Sequence, residues 1–221
     1  GIEIISGEDA DALAFSGDQR ATAVQMRSGK ELTADLLVAA TGLKPNLELL
    51  TGSGLETNWG IIVDDHQRTN FPNIYAAGDI AETIDRVSGR RYAHANYPNA
   101  IAQGEVVAFN LLGRDTTYSG ADSMNSMKHI GLPIVAAGMM EGEELRYCCG
   151  RDLRKLWVKE GKLVGFRLAG DIRGAGLYLN LIRNSNLIAP LGEALLDPDF
   201  NYARIAGTAL RPEYSLQAKS G

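Results

Sequence analysis

The chain has 221 residues, enough for one large domain or two small ones with real cores, and its 45% hydrophobic and 22% charged content is ordinary for a globular protein. A net charge of −5 argues against the clustered basic surface that nucleic acid requires, and no apolar run reaches the length of a membrane span. Its two cysteines, Cys148 and Cys149, are adjacent, which fits neither a Cys-x-x-Cys redox pair nor a metal site. Packing is their expected role, and so sparing a use of cysteine fits a reducing cytoplasm.

The amino end begins inside an apolar stretch, Ile2-Glu3-Ile4-Ile5, with no initiator Met, signal peptide or leading loop, so it reads as a piece of a longer protein. Residues 2–5, 13–15, 21–27 and 31–33 read as short strands of an antiparallel meander, with turns at Gly7, at Ser16-Gly17-Asp18 and at Ser28-Gly29. The run 35–42 is continuously apolar in its middle, as in a strand buried on both faces. Gly42 and Lys44-Pro45-Asn46 stop it. A short helix or turn over 47–55, a strand over 61–63 and a polar loop over 64–68 carrying a solvated His66 follow.

Residues 69–82 read as a Pro-Asn turn (Pro72, Asn73), a short buried strand over 74–77, and then Gly78-Asp79 followed by residues that can open a helix. A carboxylate at the end of such a strand sits where open α/β sheets bind ligands. Gly78 lets a ligand approach the backbone closely. The amides after Asp79, beginning with Ile80, would be unpaired donors able to take phosphate oxygens. Gly-Asp alone is equally the end of any strand in an α/β protein.

Past a polar turn over 85–91, residues 97–113 form the clearest helix, with Pro98 at its start, Gly113 at its stop and small residues along its first half. Residues 134–137, 145–149, 155–159 and 162–168 then read as antiparallel strands with a tight turn at Glu160-Gly161. A helix over 176–186, a short helical piece over 192–196 and a polar end complete the chain.

Taken whole, Thr69, four residues, then Ile74-Tyr75-Ala76-Ala77-Gly78-Asp79 resembles the second FAD-binding motif of the pyridine nucleotide-disulfide oxidoreductase superfamily. Upstream, Ala40-Thr41-Gly42 followed by Pro45-Asn46 resembles the family's signature at the return from the NAD(P)H domain to the FAD domain. The resemblance implies an α/β fold: the carboxyl part of a flavoprotein with two dinucleotide-binding domains, plus an α+β interface domain with an antiparallel sheet. It divides the chain into the end of an NAD(P)H-binding domain (1–46), the second segment of an FAD-binding domain (47–116) and an interface or dimerisation domain (117–221). The run Val164-Gly165-Phe166-Arg167-Leu168-Ala169-Gly170-Asp171 resembles the branch of nitrite reductase large subunits and rubredoxin reductases.

That resemblance implies hydride transfer from NADH or NADPH to FAD and onward transfer of electrons to an acceptor, either a protein such as rubredoxin, nitrite reductase machinery, or a small molecule. It carries the ribityl contact onto Asp79, with Gly78 and Ile80 in the same turn, and passage close to the cofactors onto Thr41 and Gly42. Tyr97, Pro98, Asn99 and Ala100 fall at the helix start that faces the flavin's pyrimidine edge, and Lys128 at a cation near the flavin. The implied protein is a cytoplasmic homodimer without nucleic-acid or membrane partners. No Gly-x-Gly-x-x-Gly occurs here, so the nucleotide fingerprints are expected upstream and this half alone is expected to catalyse little. The absence of a His-Pro pair argues against a dithiol mechanism of the glutathione reductase type. The other function class is a non-catalytic dimerisation or interaction module.

Overall fold

The computed structural model describes residues 2–7, 10–15, 21–129, 131–188, 191–201 and 203–204. The chain divides into two compact units, 1–43 and 44–221. No helix among the described residues is long and apolar enough to cross a membrane.

In the first unit the expected meander forms, as β1 (Ala10–Phe15), β2 (Ala21–Met26) and β3 (Glu31–Thr33) in antiparallel order. The β2–β3 turn is closed by Met26 N–H on Lys30 O at 2.8 Å and Gly29 N–H on Met26 O at 2.9 Å. The turn expected at 16–18 lies outside the described residues. Neither 2–5 nor 35–42 is a strand. Ile2 and Ile4 are 93% and 84% exposed, and Leu36 and Val38 are 79% and 80% exposed. A strand buried on both faces needs a ladder on each edge and cover on each side, and no described strand of this unit pairs with either segment. Apolar composition alone cannot supply those neighbours.

The second unit opens with a 3-10 turn, Glu48–Leu50, within the short helix or turn expected over 47–55. Then β4 (Ile61–Ile62) pairs in parallel with β5 (Ala81–Ile84), Ile61 opposite Ala81, and β5 pairs antiparallel with β6 (Arg91–Tyr92). The helix expected after Asp79 is therefore a strand. Ile61 N–H donates to Ile80 O at 2.8 Å, and Ala81 is fully buried against Ile61, Val63 and Ala76, so burial against β4 captures this segment before it can coil. The strand expected over 74–77 reduces to a single bridge between Arg68 and Tyr75, with Ile74 40% exposed.

The long helix, α1 (Tyr97–Leu111), matches its expected span, with Asn96 as its cap and Gly113 in a left-handed turn beyond its end. After it, β7 (Met124–Met127), β8 (Ile134–Gly138), β9 (Glu143–Cys149), β10 (Asp152–Lys159) and β11 (Lys162–Ala169) form an antiparallel sheet in the order β7-β8-β11-β10-β9. Its hairpin at Glu160-Gly161 has positive φ at both residues, 52° and 72°, the tight two-residue turn expected. Alternation along β10 and β11 puts Leu156 opposite Phe166 on one face. There α2 (Ala175–Arg183) covers them with Tyr178 and Leu181. The 3-10 turn Gly192–Leu196 adds Leu195 to the same core. The cysteines do not pack: both are exposed at the end of β9, which is an edge strand of the sheet. The expected polar carboxyl end, from 205 on, lies outside the described residues.

Candidate functional site

Everything around Gly78 follows from one backbone bend. Gly78 has φ of 85°, a left-handed conformation that a side chain would strain, and Ala81 N–H closes the turn on Gly78 O at 3.0 Å. Gly78 N–H is drawn inward, to Gln103 Oε1 at 2.6 Å. The amides of Asp79 and Ile80 have no partner among the described residues, and the Asp79 carboxylate is exposed and likewise unbonded. Two free N–H donors and one free carboxylate on a single turn suit a ligand that carries both an anionic group and a hydroxyl.

The turn is mounted on a polar clamp. Glu82, 1% exposed, accepts Trp59 N–H at 2.8 Å, Gly60 N–H at 3.0 Å and Asn58 Nδ2 at 3.3 Å. Gly60 is needed there because a Cβ would come within 2.5 Å of Ile80 O. Arg91 Nη1 donates to Val63 O and Glu82 O at 2.9 and 3.2 Å, so this residue of the polar turn is a strut between strands.

Against the turn lies the start of α1. A Cβ on Gly78 would stand 3.8 Å from Ala100 Cβ, so the turn lies one methyl group away from van der Waals contact with the helix. Asn96 Oδ1 accepts Asn99 N–H at 3.0 Å, Ala100 N–H donates to Asn96 O at 3.1 Å, and Pro98 has no N–H. Tyr97 keeps the one N–H of the first turn without a partner among the described residues, and its side chain is 78% exposed. The helix start therefore acts on a neighbour mainly through its dipole and not through a fan of hydrogen bonds. Asn99 points inward: it is 3% exposed, and its amide bonds to Asp122 backbone N–H and O, both at 3.1 Å.

The structure thus brings Gly78, Asp79, Ile80 and Ala100 together, with Tyr97 and Pro98 exposed on the same helix end. Thr41 and Gly42 belong to the other unit, both exposed, with Gly42 at φ 94°. Lys128 is exposed just after β7, and no described contact ties it to the turn. Sequence reasoning missed Gln103 and Glu82. The available signal for Gln103 was a polar residue four after Asn99, on the same helix face, within a run of small side chains.

His66 is not simply solvated: Nδ1 lies 2.8 Å from Asp65 and Nε2 2.8 Å from Asp115, and the hydrogen bonds to Asp115 and then Asp65 raise its pKa. Burial lowers the pKa of His94 despite Asp85 at 3.6 Å. Burial also pushes the Tyr118 phenol up to about 12, with the Gln103 amide acting in the opposite sense. A cavity of about 490 Å³ lies between α1 and the segment 116–122 and includes Pro98, Asn99, Arg86 and Arg183 in its walls.

Comparison with known proteins fits this geometry. Residues 1–104 match the family described as pyridine nucleotide-disulphide oxidoreductase. The chain is 30% identical over 199 residues to the assimilatory nitrate reductase electron transfer subunit of Bacillus subtilis, covering 86% of this chain and 25% of the relative. It is 35% identical over 144 residues to putidaredoxin reductase of Pseudomonas putida, covering 64% of this chain and 34% of that one. Among solved structures, the covalent putidaredoxin reductase–putidaredoxin complex shares the fold with a TM-score of 0.76 at 24% identity, over 93% of this chain and 50% of that chain. The chain spans well under half the length of these curated relatives. From its matching residues and its fold, it belongs to the pyridine nucleotide-disulfide oxidoreductase superfamily.

Proposed function

We propose that this chain supplies the second half of the flavin site and the interface domain of an FAD-dependent NAD(P)H oxidoreductase. The observation that carries the proposal is the Gly78-Asp79-Ile80 turn, with its unbonded carboxylate and two unbonded amides beside the start of α1. These groups fit the flavin nucleotide: Asp79 would accept from a ribityl hydroxyl, and the Asp79 and Ile80 amides would donate to pyrophosphate oxygens. The α1 dipole would favour negative charge at its start, where Tyr97, Pro98 and Ala100 stand. When bound, FAD supplies the acceptance of hydride from NADH or NADPH and the release of electrons. Thr41, Gly42 and Lys128 are assigned to the cofactor surroundings on the resemblance alone. The division 1–46, 47–116 and 117–221 into the end of an NAD(P)H domain, an FAD-domain segment and an interface domain belongs to the same proposal.

The names of two relatives, an electron transfer subunit of nitrate reductase and a putidaredoxin reductase, support an electron-acceptor protein as partner; a rubredoxin-like protein, nitrite reductase machinery and a small-molecule acceptor are the candidates proposed. A cytoplasmic homodimer is the assembly proposed, and by itself this half is expected to bind FAD weakly and to turn over little. The alternative, a non-catalytic interaction module, draws on the exposed Ile2, Ile4, Leu36 and Val38.

Titrating the labelled chain with FAD while following backbone amides by NMR tests the reading even at millimolar affinity. Saturable shifts at Asp79 and Ile80 are expected, and Asp79→Ala should weaken binding by about tenfold or more, the worth of a charge-assisted hydrogen bond. Shifts scattered elsewhere, or none, would exclude the flavin assignment.

A further inference from the structure

We propose that Gln103 is a positioning residue for the flavin nucleotide, and that Tyr118 and Asn99 extend its support from the Gly78 turn to the segment leading into the five-stranded sheet. This rests on the flavin reading above and names a residue that neither the motif nor the family resemblance assigns.

Gln103 is fully buried on α1, and its Oε1 accepts Gly78 N–H in a short bond of 2.6 Å. The bond fixes which way the side-chain amide faces, because its oxygen is committed to Gly78. The Nε2 end is also buried and makes no hydrogen bond among the described residues. One turn earlier on the same face of α1 stands Asn99, also buried. The Tyr118 O–H donates to Asn99 Oδ1 at 3.2 Å. Asn99 then grips Asp122 from both sides of its peptide, accepting Asp122 N–H and donating to Asp122 O, each at 3.1 Å. The Asp122 carboxylate in turn takes Arg86 Nε at 3.2 Å and Arg183 Nε at 2.8 Å, the latter in the last turn of α2. Along one face of α1, Gln103 and Asn99 thus hold the Gly78 amide on one side and, through Asp122, the second helix on the other.

A left-handed glycine has a broad range of backbone angles open to it, so the bend at Gly78 does not by itself fix where Asp79 points. Anchoring the Gly78 N–H on a residue that cannot move, buried on a helix, restricts that range. It also decides the division of labour in the turn: the Gly78 amide is spent internally, which leaves the Asp79 and Ile80 amides directed at the ligand. Binding groups held in place before the ligand arrives lose less freedom on binding.

The test uses the full chain and two readouts, one of which needs no flavin. In the wild type, Gly78 N–H should exchange with solvent about a hundredfold more slowly than Asp79 N–H, as a protected amide does beside an open one. In Gln103→Leu that protection should vanish, and the FAD concentration that half-saturates the Asp79 and Ile80 shifts should rise about fivefold to tenfold, the effect of one lost hydrogen bond. Tyr118→Phe keeps the ring and removes only the O–H, so it should raise that concentration about twofold to threefold. Val106→Ala, a core change on the same helix, should lower thermal stability without moving the FAD titration.

Fast exchange at Gly78 in the wild type overturns the proposal with no variant needed. An FAD titration unchanged in Gln103→Leu or Tyr118→Phe overturns it while leaving the flavin reading intact. If the wild type shows no saturable shift at Asp79 or Ile80, the flavin reading fails and the proposal with it. If Gln103→Leu does not fold, the wild-type exchange and the Tyr118→Phe titration still decide.

Discussion

The five-stranded sheet packs Leu156, Phe166 and Leu168 against α2, each no more than 1% exposed, whereas near Gly78 the buried apolar cluster among the described residues is the small set Ile61, Val63, Ala76 and Ala81. The first is held by burial of large side chains. The second is held by directed polar bonds: Glu82 on two backbone amides, Arg91 on two carbonyls, Gln103 on the Gly78 turn. Burial is non-directional and tolerates approximate shape, so it suits a scaffold. Hydrogen bonds specify direction and leave room for small residues, so they suit a surface that a ligand must approach closely. The cost is fragility, since a buried polar group that loses its partner is penalised more than a methylene.

That contrast can be broken from either side. The largest expected effect is in the scaffold: Phe166→Ala should cost about 3–5 kcal/mol in urea unfolding through loss of a fully buried aromatic, with loss of the α2 packing. Next comes the clamp. Glu82→Leu roughly keeps the volume but removes the carboxylate and strands the Trp59 and Gly60 N–H groups, and should cost about 2–4 kcal/mol in the same experiment. If it proved neutral, the polar region would be held by packing after all, and the comparison would fail.

His66 gives a pH-dependent probe of the loop beside the clamp. Both its ring nitrogens face carboxylates, Asp115 and Asp65, which favours the imidazolium and raises its pKa above the ordinary 6.5. Because the folded pKa is the higher one, this contribution to stability is fully present below pH 6.5 and is lost as the pH rises through the folded value. The thermal midpoint should therefore fall with pH above 6.5, and Asp115→Asn should shrink that slope and lower the His66 pKa seen by NMR. The smallest effect should be at Lys159, whose ion pair with Glu141 at 3.1 Å is about half exposed on both sides. Lys159→Ala should change stability by no more than about 0.5 kcal/mol, within reach of a urea curve only as a null result.

The same contrast explains what could be read in advance. The sheet strands 134–137, 145–149, 155–159 and 162–168, the Glu160-Gly161 turn and both helices were legible because their period, two or nearly four residues, is written in the chain itself. Around Gly78 the reading was poorer. The residues after Asp79 were expected to coil and instead extend as β5, since the outcome depends on β4, some twenty residues away. Asn99 was expected at the flavin and points to Asp122, because sequence order locates a helix start without saying which way each side chain turns.

By itself the amino-acid sequence determined the class of the protein: a Gly-Asp turn after a short apolar run, an Ala-Thr-Gly stop upstream and a meander of regular strands are local patterns, set by backbone freedom and side-chain period. Only the tertiary structure decided that 2–5 and 35–42 stand without strand partners among the described residues, that the cysteines lie open on an edge, and that Gln103 holds the Gly78 amide. Those outcomes depend on which distant groups arrive beside a residue, and pairing, burial and hydrogen-bond direction exist only once both partners are in place.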